Sequence, residues 1–240
     1  ANVVRGRADG TVSAIAYSRL GDVTADQFRA LADIQRDFAI EIRITNRQNF
    51  ALRGVAEADV RALHDRLADA GMAEPGAELA RDVVSCPGAD TCNLAVTQSR
   101  GLAAAIGDAL EAEGLAEVGG VRVNISGCTN SCGQHHISDI GFFGLERRAH
   151  GRAAPGYQML LGGHLGETQV EFGDKATKVP AKNAPEAVVR VVRRFNDERS
   201  AGESFAAWLA RSGGATTVGR ELGELDAFPT PEEEIGRAHV

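Results

Sequence analysis

The chain has 240 residues, 43% of them hydrophobic and 25% charged, enough apolar content for one or two sizeable cores. A net charge of −7 argues against nucleic acid as a partner. No apolar run is long enough to span a membrane, and ANVVRGRADG lacks the pattern of a secretory signal.

The N-terminal part reads as alternating strand and helix. Val12–Tyr17 (VSAIAY) is a short apolar run, expected as a buried strand that Gly21 and Asp22 end. Thr24 and Gln27 stand at capping-box spacing for a helix start. Phe28, Leu31, Ile34 and Phe38 follow at helical spacing, which predicts an inward face. IEIRIT (40–45) alternates as a half-buried strand, and residues 46–49 form a turn into a returning strand from Phe50 to Val55. Ala58–Ala70 reads as a second helix with Val60, Leu63 and Leu67 on one face. The order β-α-β-β-α is that of a ferredoxin-like unit, expected over residues 1–75, with Pro75 and Gly76 at its end.

A second unit is expected over residues 76–212. Asn93–Glu113 is rich in Ala and Leu and reads as a long helix. Val121–Ile125, Ile137–Phe143 and Tyr157–Leu161 are strand candidates. Asn183 and Pro185 suit a helix start, with Val188, Val191, Val192 and Phe195 as its buried stripe. Glu203–Arg211 is a last short helix holding the one tryptophan, Trp208. Residues 213–240, rich in Gly, Pro and Glu, read as a poorly ordered or docking tail.

The four cysteines come in two pairs, Cys86 with Cys92 in SCPGADTCNLA and Cys128 with Cys132 in ISGCTNSCGQ. They are too few for a disulfide-dense secreted scaffold, so a reducing, cytoplasmic setting is expected. A cubane cluster takes one thiolate per iron from different directions, which two loops can supply. Pro87, Gly88, Gly127 and Gly133 flank the pairs, where backbone must bend or come close. The gap of residues 87–91 is wider than structural zinc sites favour, although zinc, two disulfides or four unrelated buried thiols stay open on spacing alone.

CPGADTCNLAVTQSRGLA followed by ISGCTNSCGQHHISDIGFFG resembles the iron–sulfur and siroheme region of assimilatory nitrite and sulfite reductases. IRITNRQNFALRGV upstream, and YQMLLGG and RSAGESFAAWLARSG downstream, extend the likeness over nearly the whole chain. The resemblance implies an α+β fold, a ferredoxin-like half-domain followed by an α/β iron–sulfur/siroheme domain. It implies only the C-terminal half of a pseudo-duplicated enzyme, a piece of a longer protein or a single-half protein pairing with a second copy. The abrupt start inside a recognisable pattern favours the piece.

By the same resemblance Cys86, Cys92, Cys128 and Cys132 hold a [4Fe–4S] cluster, and Cys132 also bridges to the siroheme iron. Thr91 and Asn130 lie in loops that face the macrocycle. Nitrite or sulfite is the implied substrate and a one-electron carrier such as ferredoxin the donor. Arg43, Arg47 and Arg53 are candidates for cofactor or substrate contact, against the plainer reading of solvated strand arginines. His135 and His136 invite a proton-donor role, but neighbours in a strand face opposite ways, so structural hydrogen bonding is preferred. Arg147, Arg148, Arg190, Arg193 and Arg194 could meet an acidic ferredoxin, although a solvated helix face is the plainer account. The alternatives of other classes are a precorrin-modifying monooxygenase of the same architecture and a non-catalytic iron–sulfur module.

Overall fold

The computed structural model describes residues 2–230 apart from 7, 9, 150, 167, 168 and 229. The chain divides into two compact units, Ala1–Ala77 and Glu78–Val240.

The first unit runs β1 (Val3–Arg5), β2 (Thr11–Ala16), α1 (Ala25–Phe38), β3 (Glu41–Ile44), β4 (Phe50–Ala56) and α2 (Val60–Asp69). Its sheet is antiparallel in the order β1-β2-β4-β3, and β1 supplies an edge that the sequence reading lacks. With only three residues, β1 has too little periodicity to be seen beforehand. The capping box at Thr24 is complete: its Oγ accepts from the Gln27 N–H at 3.2 Å, and Gln27 Oε1 accepts from the Thr24 N–H at 2.9 Å. Leu31 and Ile34 of α1 pack with Leu63 and Leu67 of α2 over Ala14, Leu52 and Val55 of the sheet.

Two expectations fail at the rim of this core. Phe28 is 52% exposed, because a turn nearer the helix start it reaches only the edge of the Phe50 ring, at 5.8 Å. Ile44 is 75% exposed, because β3 is an edge strand from which only Ile42 packs on the core.

The second unit contains β5 (Val84–Ser85), α3 (Ser99–Ala112), β6 (Val123–Ser126), β7 (Ile140–Ala149), β8 (Arg152–Leu161), β9 (His164–Leu165), β10 (Val170–Glu171), β11 (Asp174–Pro180), α4 (Ala184–Glu198), α5 (Phe205–Arg211) and α6 (Gly214–Glu221). Its main sheet has the order β11-β8-β7-β6-β5. β5, β6 and β7 are parallel, and β8 and β11 add antiparallel. α3 is the crossover between β5 and β6, and it packs against α4. Leu102, Ile106 and Leu110 of α3, with Val188, Val192 and Phe195 of α4, are fully buried in this core. Phe195, Phe205 and Trp208 meet edge to face or tilted, and the Trp208 indole N–H donates to Glu198.

The long helix starts at Ser99 rather than Asn93. The N–H groups of Val96 and Thr97 donate to the Gly127 carbonyl, which commits this stretch to a loop. Asn183 does not cap α4, since its side-chain amide donates to the Leu225 carbonyl instead. Within the expected tail, α6 packs on β11, with Gly219 so close that a Cβ would lie 2.4 Å from the Ala176 carbonyl oxygen. A 3-10 turn follows at Gly223–Asp226, so this stretch is docked on its own unit. Residues 231–240 of that tail lie outside the described residues. Among the described residues no helix is long and apolar enough to cross a membrane.

Candidate metal centre

The two cysteine pairs sit at the carboxyl ends of adjacent parallel strands, the edge of an open α/β sheet where ligands bind. Cys86 follows β5 directly, and its N–H continues the ladder to the Ile125 carbonyl at 3.1 Å. Cys128 follows β6 after one glycine. That glycine, Gly127, donates its N–H to Cys86 Sγ at 3.2 Å and so ties the second loop to the first thiol. Ser99 Oγ, at the start of α3, lies 3.3 Å from the same sulfur and donates to the Cys86 carbonyl at 2.7 Å.

Gly88 and Gly127 let the two loops touch. A Cβ on Gly127 would stand 2.8 Å from the Thr97 carbonyl oxygen and 3.0 Å from Gly88 Cα. A Cβ on Gly88, whose φ is +61°, would stand 2.6 Å from the Ser99 nitrogen. Backbone atoms are the obstacle in both places: a side chain at Gly127 forces the two loops apart, and one at Gly88 collides with Thr97 and the start of α3.

Cys92 is held on its turn by its N–H bond to the Gly88 carbonyl at 3.0 Å. Beyond Cys128 the chain turns through left-handed Ser131 (φ 58°) and Gln134 (φ 57°), which reverses it around Cys132. Ser126 Oγ accepts the Gly133 N–H at 3.0 Å, and Asn124 donates to the Gly133 carbonyl at 2.9 Å. Cys86 is buried, Cys92 and Cys128 are half-buried, and Cys132 is exposed.

This donor set suits a cubane better than the simpler options. All four thiols are free, so neither disulfide forms. Structural zinc sites favour narrower ligand gaps than the one between Cys86 and Cys92. A cluster spreads its irons over separate corners and needs one sulfur at each. Four thiols on two abutting loops, one already receiving a backbone N–H, meet that need.

Thr91 and Asn130 are exposed on these loops, beside Cys92 and between Cys128 and Cys132. Arg43, Arg47 and Arg53 belong to the other unit. Arg43 and Arg53 both pair with Glu41, at 2.6 and 3.0 Å, and hold its carboxyl below the usual range. Arg47 is buried at the turn before β4. Arg147 pairs with Asp226 and Arg148 with Glu146, while Arg190, Arg193 and Arg194 each reach at least one glutamate.

The two histidines correct an expectation. They lie on a 3-10 turn, His135–Ile137, and not in a strand, so their rings stand side by side with centroids 4.2 Å apart. With Thr129, Phe143 and Lys175 they line a cavity of about 700 Å³ beside the second cysteine loop. His135 is fully buried, its Nδ1 2.8 Å from Ser126 Oγ. Burial, and then the charge of His136, push its pKa down to about 4, so the ring is neutral near pH 7. Ser99, Ser126 and Tyr157 are the polar residues here that sequence reasoning missed. Ser99 reaches back to Cys86 and Ser126 forward to Gly133 and His135, and no short motif marks these residues or Tyr157.

The comparisons agree with this architecture. Residues 76–218 match the family model described as nitrite and sulphite reductase 4Fe-4S domain, and residues 5–70 match the nitrite/sulfite reductase ferredoxin-like half domain. The sulfite reductase [ferredoxin] of Mycobacterium tuberculosis is 33% identical over 201 residues, 80% of this chain and 36% of the relative. The assimilatory ferredoxin-dependent nitrite reductase of Haloferax mediterranei is 30% identical over 81% of this chain and 34% of its own length. The solved structure of the Mycobacterium tuberculosis NirA protein superposes with a TM-score of 0.73 and 31% identity, over 88% of this chain and 40% of that one. The chain thus spans about a third of the length of the curated relatives it matches.

Proposed function

Because the chain belongs to the nitrite and sulphite reductase 4Fe-4S family, we propose that it is the cluster-carrying, C-terminal half of a siroheme-dependent reductase. The reaction is the six-electron reduction of nitrite to ammonia or of sulfite to sulfide. The family's cofactors are a [4Fe–4S] cluster and siroheme. The observation that carries the reading is the pairing of two cysteine loops on neighbouring parallel strands, joined by the Gly127 N–H on Cys86 Sγ.

In this reading Cys86, Cys92, Cys128 and Cys132 hold the cluster. When bound, the cofactors supply one-electron transfer and an iron that takes the substrate anion. The chain's own residues bind and orient. Cys86 anchors the cluster on the sheet, and its buried setting excludes water from that corner. Cys132, the exposed thiol, would be the cluster ligand shared with the siroheme. Thr91 and Asn130, exposed on the same loops, would contact the macrocycle. Arg43 and Arg47, candidates from the resemblance alone, belong to the other unit, where Arg43 pairs with Glu41 and Arg47 is buried. Ferredoxin or a similar one-electron carrier is the donor, the remaining half or a second copy completes the substrate pocket, and the setting is cytoplasmic.

The test is anaerobic turnover by the full-length protein with a reduced one-electron donor, assayed on nitrite and on sulfite separately. Ammonia or sulfide in stoichiometric yield is the expected result. Electron uptake with neither product, from protein carrying both cofactors, contradicts the reading. A second check is Cys132→Ser, which should abolish the spectroscopic coupling between siroheme and cluster. Coupling that survives in this variant sinks the bridging assignment.

A further inference from the structure

Two polar groups at the Cys86 sulfur differ in kind. The Gly127 N–H, 3.2 Å away, belongs to the backbone and is fixed in direction. The Ser99 hydroxyl can turn about its own C–O bond. Its Oγ stands 3.3 Å from Cys86 Sγ and 2.7 Å from the Cys86 carbonyl oxygen, so one oxygen meets two acceptors of the same residue. Ser99 is fully buried, which keeps bulk water from either contact. A Cβ on Gly88 would stand 2.4 Å from Ser99 Oγ, so this glycine clears the space that the hydroxyl occupies.

A serine hydroxyl has one proton to give. With Cys86 a free thiol, that proton goes to the carbonyl at 2.7 Å, and at 3.3 Å the thiol donates to Ser99 Oγ. A cysteine that binds iron releases its proton to solvent, and its sulfur becomes a negatively charged acceptor. The 3.3 Å contact then holds no proton unless the hydroxyl turns. A hydrogen bond to a charged acceptor is roughly twice as strong as a neutral one, which favours the turn. Ser99 is also the first residue of α3, so the positive end of that helix lies on the sulfur's side and adds to the preference.

We propose that Ser99 is a positioning residue that turns its hydroxyl from the Cys86 carbonyl to the Cys86 sulfur when that sulfur binds the cluster, and so raises the cluster's reduction potential. The inference rests on the cluster reading given above. On reduction one electron enters from the one-electron donor and no bond breaks. The reduced cluster carries one more negative charge, so a donor at its sulfur favours that state.

The experiment uses the full-length protein purified anaerobically, with iron and acid-labile sulfide measured first. Wild-type protein lacking the cluster removes the parent reading, and this inference with it. With the cluster present, midpoint potentials follow from redox-poised electron paramagnetic resonance. Ser99→Ala removes the hydroxyl. The expected effect is about a tenfold lower reduced-to-oxidised ratio at a fixed potential, about 59 mV more negative for one electron. Ser99→Thr keeps a hydroxyl and should restore the wild-type potential. Ser99→Val, its match in shape without a hydroxyl, should show the lowered one. A residue that only held the loop would change the iron content and leave the potential of the loaded fraction unmoved. Equal potentials in all loaded forms, or a lowered potential that Ser99→Thr does not restore, overturn the inference. Loss of the cluster from both hydroxyl-free variants assigns Ser99 to holding the loop and overturns it too.

Discussion

Gly127 does three things with three backbone features. Its N–H reaches Cys86 Sγ, its carbonyl takes the N–H groups of Val96 and Thr97, and its missing side chain lets Gly88 approach. Gly127→Ala would set a methyl against backbone at two points of the first cysteine loop, an overpacking cost of about 1–3 kcal/mol concentrated at the metal centre. We predict that this variant folds, as read by circular dichroism, but retains a minority of the iron. His135 gives a second prediction. Its folded pKa of about 4 lies below its ordinary 6.5, so the unfolded chain binds more protons between these values. Stability from this group is complete above pH 6.5 and is lost as pH falls towards 4. Denaturant midpoints of wild type and His135→Gln should diverge across that window, with the slope shallower in the variant; parallel curves would contradict it. At this scale the cysteines and their glycines were legible, because spacing and turn chemistry are local. Ser99, Ser126 and Tyr157 were not, because only the fold brings β5, α3, β7 and β8 together around them.

Among the elements, α1 shows why local signals succeed. Thr24 and Gln27 exchange hydrogen bonds across three residues, so sequence alone contains the whole motif. Thr24→Ala should cost about 1 kcal/mol of stability in urea unfolding, and a loss near zero would mean the box is not holding the helix end. The start of α3 shows the opposite case. The Ala- and Leu-rich composition from Asn93 onward favours a helix, yet the N–H groups of Val96 and Thr97 find a better partner in the Gly127 carbonyl. Phe28 and Ile44 fail for a related reason. Periodicity marks a face, but it does not tell where the opposing layer ends. In α6, Gly219 reads as a helix breaker in isolation, and packing on β11 makes its small size the reason the helix can sit there.

For the whole molecule, the charge pattern narrows the choice of surfaces. The basic run of α4 is already neutralised: Arg190 pairs with Glu186 and Glu224, Arg193 with Glu113, and Arg194 with Glu198 and Glu221. Such exposed pairs stabilise little, but they leave few spare cations to greet an acidic carrier. The fold class was legible because the chain writes its own alternation of strand and helix. The arrangement of the main sheet was not, since β11-β8-β7-β6-β5 mixes parallel and antiparallel neighbours that no local pattern encodes. What that sheet achieves is to bring Cys86 and Cys128 side by side on adjacent strand ends, and the functional account depends on this pairing. The most direct test is iron, acid-labile sulfide and zinc analysis of the anaerobically purified full-length protein, alongside the Cys86→Ser variant. The account predicts iron and sulfide in equal amounts, four of each per chain, with both lost in the variant. Stoichiometric zinc without sulfide, or iron and sulfide undiminished in Cys86→Ser, would contradict it.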